Sequence, residues 1–242
     1  MRTSLVVPMF NEAGHIEATV NRIADSAMVE GLELLLVDDG SSDGTGAVAR
    51  DVLDRRGLNG QVLCIPVRAG KGGAVQVGVQ HANAPVVVFA DADLSAGAEQ
   101  VERVIDHLGR GSVDMVIASR RHADSEIETS PPWRRRVAAR AFNLVARGLG
   151  LTDRDDTQCG LKGFTSDAAR ELFAELVSTG FAFDVEVLIR ADRLGLTVEE
   201  LPVRWSYDPH SSVRVAAHAA ATLRDLIRIR RRYGSARRPR PV

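Results

Sequence analysis

Residues 85–93 read Pro85-Val86-Val87-Val88-Phe89-Ala90-Asp91-Ala92-Asp93, an apolar run that ends in two carboxylates. Such a run is typical of a strand that is buried on both faces of a sheet. We therefore expect Asp91 and Asp93 to lie beyond the carboxyl end of a strand, on the same side. Two close carboxylates repel each other, and a hard divalent cation that carries a diphosphate relieves the repulsion. Asp-x-Asp is also common in surface loops, so the neighbouring motifs decide its meaning.

The first half of the chain alternates between strand and helix patterns. Apolar runs predict strands over residues 4–8, 32–37, 61–67, 85–90 and 113–119. Helical patterns predict helices over residues 14–27, 45–55, 73–81 and 99–108. This order favours an α/β fold with a mostly parallel central sheet and helices on both faces. Ligands of such sheets bind beyond the carboxyl ends of the strands.

The second half lacks this regular alternation, and Pro131-Pro132 interrupts it. The sequence predicts helices over residues 133–149, 167–177, 183–194 and 215–233, a late strand over 198–205, and a loop or short strand over 156–164. On the helix at 133–149, one stripe is polar and the opposite side is apolar. The polar stripe contains Arg136, Arg140, Asn143 and Arg147, and the apolar side contains Val137, Ala141, Leu144 and Val145.

Composition limits the class of protein. The chain has 242 residues, of which 45% are hydrophobic, so it is long enough and apolar enough for a full core. The net charge is −1, but residues 213–242 hold nine Arg and one Asp, which leaves the remainder acidic. A basic end suits either an anionic surface, such as a membrane or nucleic acid, or plain solvation. Two distant cysteines and no apolar run of about 20 residues favour a cytoplasmic protein without a disulfide framework, signal peptide or membrane span.

Three further polar motifs follow predicted strands. Residues 8–12, Pro8-Met9-Phe10-Asn11-Glu12, offer a ring and a carboxylate for a base and a ribose, or simply a turn and a helix cap. Asp38 and Asp39 precede a glycine-rich turn and suit a base or sugar. Residues 68–73, Arg68-Ala69-Gly70-Lys71-Gly72-Gly73, open a helix whose amides and lysine suit phosphate. This last motif matches neither the P-loop nor the dinucleotide-binding pattern.

Taken together, these motifs resemble the GT-A glycosyltransferases of family 2, especially the glucosyl branch of the dolichyl- and polyprenyl-phosphate sugar synthases. The matching segments occur in family order at residues 6–12, 37–45, 70–75, 91–95, 118–120 and 156–164. The resemblance implies a GT-A catalytic domain over residues 1–212, with a nucleotide-sugar half at about 1–120 and an acceptor half at about 121–212. A basic amphipathic helix at 213–233 and a disordered Arg/Pro tail at 234–242 would follow.

The resemblance also implies roles for individual residues on the donor side. The nucleotide would be held by Pro8, Phe10, Glu12, Val37 and Asp39. The donor diphosphate would meet Lys71 and the segment Asp91-Ala92-Asp93, with Mg²⁺ or Mn²⁺ bound by Asp91 and Asp93. Some relatives have a Gln ligand where this chain has Ser95, so water would take that place.

On the acceptor side, the resemblance implies catalytic roles for Asp156, Asp93 and Arg120. Asp156 corresponds to a suspected base near the acceptor phosphate, although an ionised phosphate needs no strong base and Asp156 could instead orient a neighbour or bind metal. Arg120 would lie near the diphosphate or the acceptor phosphate. The chain departs from the family at residues 211–214, Ser-Ser-Val-Arg, where relatives often have a phosphate-binding lysine; Arg214 is the candidate replacement.

The implied activity is inverting transfer of a hexose, glucose from UDP-glucose, to a polyprenyl or dolichyl phosphate at the inner face of the plasma membrane. The helices at 133–149 and 215–233 are the candidates for membrane contact, with ordinary packing on the sheet as the alternative. GDP-mannose as donor, a soluble or cell-wall acceptor and a homo-oligomer stay open. A nucleic-acid-binding module that uses the Arg-rich tail is a remote alternative, because the body of the chain has no nucleic-acid motif.

Overall fold

The computed structural model describes residues 1–208 and 215–234, and the side chains of residues 215–218 are not among them. Within these ranges the strands are β1 (Thr3–Met9), β2 (Leu32–Asp38), β3 (Gly60–Cys64), β4 (Val86–Ala90), β5 (Met115–Ser119), β6 (Glu126–Thr129), β7 (Leu161–Thr165), β8 (Val198–Pro202) and β9 (Arg204–Ser206). The helices are α1 (Ile16–Ala24), α2 (Thr45–Arg56), α3 (Lys71–His81), α4 (Ala98–Gly109), α5 (Trp133–Gly148), α6 (Ser166–Phe173), α7 (Phe183–Leu194) and α8 (Val215–Tyr233), and a 3₁₀ turn spans Ala27–Val29.

Seven strands form the central sheet in the order β3-β2-β1-β4-β7-β5-β8. The pairings are parallel except for those of β7, which runs antiparallel to both β4 and β5. The prediction of an α/β fold with a mostly parallel sheet is therefore confirmed. The reversed strand matters for the site, because the start of β7 lies beside the end of β4, with Leu161 opposite Ala90.

Alternating side chains of the strands enter two separate cores. Leu5, Val7 and Met9 of β1 pack with α1, α2 and α4, whereas Val6 faces the layer of α3, α6 and α7. This alternation follows from the two-residue period of a strand, and it covers both faces of the sheet with helices. A third, smaller apolar cluster joins α5, α7 and α8 through residues that include Ala146, Ile189 and Leu226.

Several predicted boundaries differ from the structure. The third strand ends at Cys64 rather than 67, and the next helix begins at Lys71 rather than 73, so Lys71 lies on a helix start. The helix predicted to reach 177 ends at Phe173. The late strand predicted over 198–205 is two strands, because β8 joins the central sheet while β9 pairs with β6 in a separate two-stranded sheet.

Strand β6 was not predicted, because its four residues are exposed and only one of them, Ile127, is apolar. Residues 211–214, where the sequence departs from the family pattern, lie outside the described residues. So do residues 235–242, which make up all but the first residue of the predicted Arg/Pro tail. Within the described ranges, none of the helices combines the length and the apolarity that crossing a bilayer requires.

Candidate active site

The two carboxylates after β4 lie on a tight turn rather than on an extended strand. The Leu94 amide donates to the Asp91 carbonyl at 2.9 Å, and Leu94 has a φ of 46°. The Ser95 amide donates to Asp93 Oδ1, also at 2.9 Å. The expectation that strand alternation places the carboxylates is therefore wrong in detail, although the turn brings Asp91 and Asp93 to the same cavity.

A half-buried cation already contacts one of these carboxylates. Lys71 Nζ lies 2.6 Å from Asp91 Oδ1, because α3 begins at Lys71 beside the end of β4. Burial opposes the charge on Lys71, but Asp91, Asp184 and Asp93 together outweigh it and raise the pKa of Lys71. Burial and the neighbouring Asp91 raise the pKa of Asp93. The site is therefore acidic enough to hold positive charge away from solvent.

Gly160 packs directly against Asp91. The Asp91 amide donates to the Gly160 carbonyl at 2.9 Å, as the antiparallel start of β7 allows. A Cβ added at Gly160 would lie 1.9 Å from Asp91 Oδ2, which no side chain can accommodate without displacing that carboxylate. The position therefore requires glycine for close approach rather than for a turn.

Asp156 and Arg120 form a bidentate ion pair at the edge of the cavity. Arg120 Nε and Nη2 donate to the two carboxylate oxygens at 2.8 and 2.7 Å, and the Arg120 backbone amide adds a third bond at 2.9 Å. Burial acts to raise the pKa of Asp156, but these bonds outweigh it and the pKa is lowered. Asp156 thus stays ionised and fully engaged, which suits an orienting group and disfavours a base.

The opposite edge of the site, at the ends of β1 and β2, carries a ring and a carboxylate. The Arg68 guanidinium lies 3.8 Å from the centre of the Phe10 ring. Asp39 accepts the Ala69 and Gly70 amides at 2.6 and 2.9 Å, so its carboxylate holds the loop that leads to Lys71. Burial raises the pKa of Asp39 against these amide bonds.

The remaining residues that were predicted to bind the nucleotide differ in their burial and contacts. Pro8 and Val37 are register partners on β1 and β2, but the Val37 side chain is fully buried against α3. The Glu12 amide donates to Thr45 Oγ1 at 2.8 Å. The Ala92 side chain is buried and its carbonyl accepts from Thr19 Oγ1 at 2.6 Å. Any contact of Val37 or Ala92 with a nucleotide would therefore involve the backbone.

A cavity of about 840 Å³ extends from the carboxylates to the space between α5 and α8. Its inner end is lined by Lys71, Asp91, Asp93, Arg120 and Asp156. Its wall and outer end add residues that the sequence interpretation did not single out, among them Trp205, Tyr207 and Arg135. Trp205 and Tyr207 each contact an arginine, with guanidinium-to-ring distances of 5.4 Å for Arg120 and 5.2 Å for Arg135.

Behind the inner end lies a fully buried ion pair. Lys162 Nζ on β7 donates to Asp184 Oδ1 at 2.6 Å and to the Cys159 carbonyl at 2.8 Å. Lys162 is 1% exposed, and Asp184 in the first turn of α7 also lines the cavity. Asp184 therefore braces the segment before β7, since Lys162 links its carboxylate to the Cys159 carbonyl.

Residues 4–173 match glycosyl transferase family 2. The chain belongs to this family. A dolichyl-phosphate beta-glucosyltransferase of Dictyostelium discoideum is 28% identical over 95% of this chain and 74% of its own length. The Saccharomyces cerevisiae protein of the same name is 31% identical, with the same shares of each chain covered.

Solved structures share the fold of this family 2 glycosyltransferase. Glucosyl-3-phosphoglycerate synthase from Mycobacterium tuberculosis, crystallised with Mn²⁺, UDP and phosphoglyceric acid, aligns with a TM-score of 0.70 at 23% identity. The alignment covers 97% of this chain and 79% of that protein. The resemblance to GT-A enzymes of family 2 is thereby confirmed for fold and family.

The carboxylates of this glycosyltransferase fit a divalent cation. The described residues contain no cluster of three or more His, Cys, Asp or Glu side chains that would form a closed metal site. Two carboxylates are enough for Mg²⁺ or Mn²⁺ when substrate phosphates and water complete the coordination. Asp91 already accepts a cationic partner in Lys71, which shows that the position stabilises positive charge. Asp91 and Asp93 are therefore the residues that would hold the metal.

Proposed function

We propose that this glycosyltransferase moves glucose from UDP-glucose to a polyprenyl phosphate with inversion at the anomeric carbon. Two relatives that cover 95% of the chain are named dolichyl-phosphate beta-glucosyltransferases, which supports the sugar and the class of acceptor. The structural neighbour that was crystallised with UDP and Mn²⁺ supports the nucleotide and the metal.

The polarity of the cavity is the observation that carries the proposal. Its inner end holds the carboxylates and Lys71, its wall presents arginines that include Arg120, Arg136 and Arg140, and its outer end is apolar. The apolar end lies between α5 and α8 and includes Ala138, Val145, Leu223 and Leu226. A phosphate on an isoprenoid chain has this same order of polarity, because its charged head must reach the donor while its hydrocarbon stays out of water.

The donor side lowers the barrier by stabilising the leaving diphosphate. When bound by Asp91 and Asp93, a divalent cation neutralises the negative charge that develops on the diphosphate. Lys71, whose ammonium is protonated and only 18% exposed, adds positive charge beside the same carboxylates. Fixed charges of this kind stabilise the transition state without reorganisation of solvent.

The acceptor side has no need of a strong base. A phosphate monoester has a second pKa of about 6, so the acceptor oxygen is ionised near pH 7. Asp156 holds Arg120 by two side-chain bonds and so fixes the direction of its guanidinium toward the cavity. Asp156 then acts as a positioning residue, and Arg120 is the group that meets the phosphate.

Contact with the membrane would be made by α5 and α8. Trp133 and Leu144 on α5 are 67% and 72% exposed, and Leu223 and Ile227 on α8 are also exposed. Five Arg in α8 and five in α5 accompany these apolar side chains. An exposed apolar stripe with arginines beside it suits the interface of an anionic bilayer, where the rings and aliphatic chains enter and the charges meet head groups.

The direct test supplies purified protein with UDP-glucose and Mn²⁺ and offers undecaprenyl phosphate, dolichyl phosphate or 3-phosphoglycerate in parallel. We expect glucosylated lipid from the polyprenyl acceptors and no product from 3-phosphoglycerate. GDP-mannose in place of UDP-glucose tests the other donor. Product from 3-phosphoglycerate alone, or product with GDP-mannose alone, would contradict the proposal.

Membrane contact is tested by co-sedimentation with vesicles that contain anionic lipid at low salt. The double variant Trp133→Ser/Leu144→Ser should bind markedly less, because both side chains are exposed on α5. Val67→Ser, which removes another strongly exposed apolar side chain outside α5, serves as the matched control and should bind like the unmodified protein. Equal binding by all three proteins would remove α5 as the membrane contact.

A further inference from the structure

Lysine is rare in this chain, and both of its lysines lie at the candidate active site. Of the 31 basic Lys and Arg residues, Lys71 and Lys162 are the only lysines. Their ammonium groups lie 6.0 and 5.2 Å from the centre of the same ring, Phe89 on β4. The positive charge elsewhere in the protein is therefore carried mainly by arginine, and both lysines lie at one largely buried location.

Each of the two lysines forms an ion pair with a carboxylate at this location. Lys162 pairs with Asp184, and Lys71 pairs with Asp91, each at 2.6 Å. Asp184 and Asp91 line the same cavity as Lys71, and the negative charge of each carboxylate favours the protonated form of Lys71. Lys71 therefore has two carboxylates within electrostatic reach, one that would bind the metal and one that is anchored by a second lysine.

We propose that the Lys71 ammonium competes with the divalent cation for Asp91, and that Asp184, held in place by Lys162, is the carboxylate that retains Lys71 when the metal binds. The proposal rests on the metal role of Asp91 in the proposed function. A lysine has a flexible four-carbon stem and a compact charge, so it can turn from one carboxylate to another. A guanidinium held by two directed bonds, such as that of Arg120, could not do so as readily.

Competition of this kind has a consequence for the order of binding. In the absence of nucleotide, the metal must displace the Lys71 ammonium from Asp91. The two positive charges then lie close together, and their repulsion costs electrostatic energy. When UDP is present, its diphosphate offers Lys71 a further negative partner. The metal should therefore bind weakly alone and much more tightly with UDP, so that an unproductive metal-loaded state without donor is avoided.

The experiment titrates metal-free protein with Mn²⁺ and follows unbound Mn²⁺ by electron paramagnetic resonance, with and without UDP. Lys71→Met removes the competitor and should bind Mn²⁺ in the absence of UDP at least about tenfold more tightly than the unmodified protein. Lys71→Arg keeps the charge and should remain weak. Lys71→Gln gives a second uncharged side chain and should behave like the Met variant.

Asp184→Asn should change the affinity for Mn²⁺ in the opposite direction. Without the Asp184 charge, Lys71 stays on Asp91, and Mn²⁺ should bind more weakly than to the unmodified protein. Lys162→Met/Asp184→Leu removes the buried pair as a unit, which avoids an unpaired buried ammonium, and should show the same weakening. A purely structural role for these residues would weaken metal binding in every variant.

The outcomes separate this inference from the proposed function. If the unmodified protein binds no Mn²⁺ even with UDP, or Asp91→Asn binds it normally, the metal role in the proposed function fails. If the unmodified protein binds Mn²⁺ with UDP but the uncharged Lys71 variants bind it no more tightly without UDP, the competition is overturned. Tighter binding by the Asp184 variants would overturn the role of Asp184.

Discussion

Replacement of Arg120 by methionine tests the ion pair that organises the acceptor side. Asp156 is nearly fully buried and takes three hydrogen bonds from Arg120, two of which the substitution removes. Removal of one partner of a buried pair costs about 3–5 kcal/mol, because the other charge is left without compensation. The Arg120 side chain is 29% exposed, so water can reach the gap and the lower end, about 3 kcal/mol, is expected. For a domain of this size that corresponds to a fall in Tm of about 6–12 °C.

The pH dependence of this loss has a definite sign. Because Arg120 holds the pKa of Asp156 below the ordinary carboxyl value of 3.8, the pair contributes its full stabilisation above that value and loses it as the pH falls through the lower folded-state pKa. The difference in unfolding free energy between the unmodified protein and Arg120→Met should therefore be largest at neutral pH and narrow as the pH falls through the pKa of Asp156 in the variant, which burial without the Arg120 side chain raises.

Urea unfolding followed by circular dichroism at several pH values measures this difference. Arg120→Met/Asp156→Leu removes both charges and should recover most of the stability, since an apolar pair can replace a buried ion pair. Its glucosyltransferase activity should stay as low as that of Arg120→Met, because the cation that meets the phosphate is still missing. A Tm within about 1 °C of the unmodified protein for Arg120→Met, or a difference that widens as the pH falls from about 8 to about 4, would refute the reasoning.

Further predictions concern the carboxylates and the thiols. Gly160→Ala should lower kcat/KM by about 100-fold because its Cβ displaces Asp91, whereas Gly148→Ala, which meets no atom within 4 Å, should keep normal kinetics. Asp91→Asn and Asp93→Asn should each abolish turnover and its dependence on Mn²⁺; a near-normal rate of either variant in EDTA would contradict the metal role. Iodoacetamide at pH 8 should label Cys64 only, because Cys159 is buried and its pKa is raised to about 12; labelling of both thiols in the native protein, measured by mass spectrometry, would contradict the burial.

The sequence predicted the strands that supply the site and missed the contacts that come from distant segments. The segment Val86–Ala90 could be predicted as a strand because it is uniformly apolar, and Asp91 followed from its position at the strand end. The proximity of Gly160 to Asp91 could not be predicted, because it depends on the antiparallel insertion of β7 beside β4. Local patterns carry no information about the order of strands in a sheet.

The same limit explains the aromatic wall of the cavity. Trp205 lies in β9 and Tyr207 directly follows it, and the pairing partner of this strand, β6, is short, exposed and almost without apolar residues. The contacts of Trp205 with Arg120 and of Tyr207 with Arg135 arise only when β6 and β9 meet across the mouth of the cavity. The arginine stripe of α5 was predicted, but its role in lining the cavity depends on where α8 packs.

Three ion pairs lie at one edge of the sheet, and stability alone does not account for them. Lys162–Asp184 is wholly buried, and Lys71–Asp91 and Arg120–Asp156 are partly buried. Because desolvation offsets most of the attraction, apolar side chains of similar volume would stabilise the fold as well or better. Burial does, however, strengthen every interaction that these charges make with an incoming anion. Their concentration where β4 ends is therefore best explained by a substrate that carries phosphate charge into the cavity.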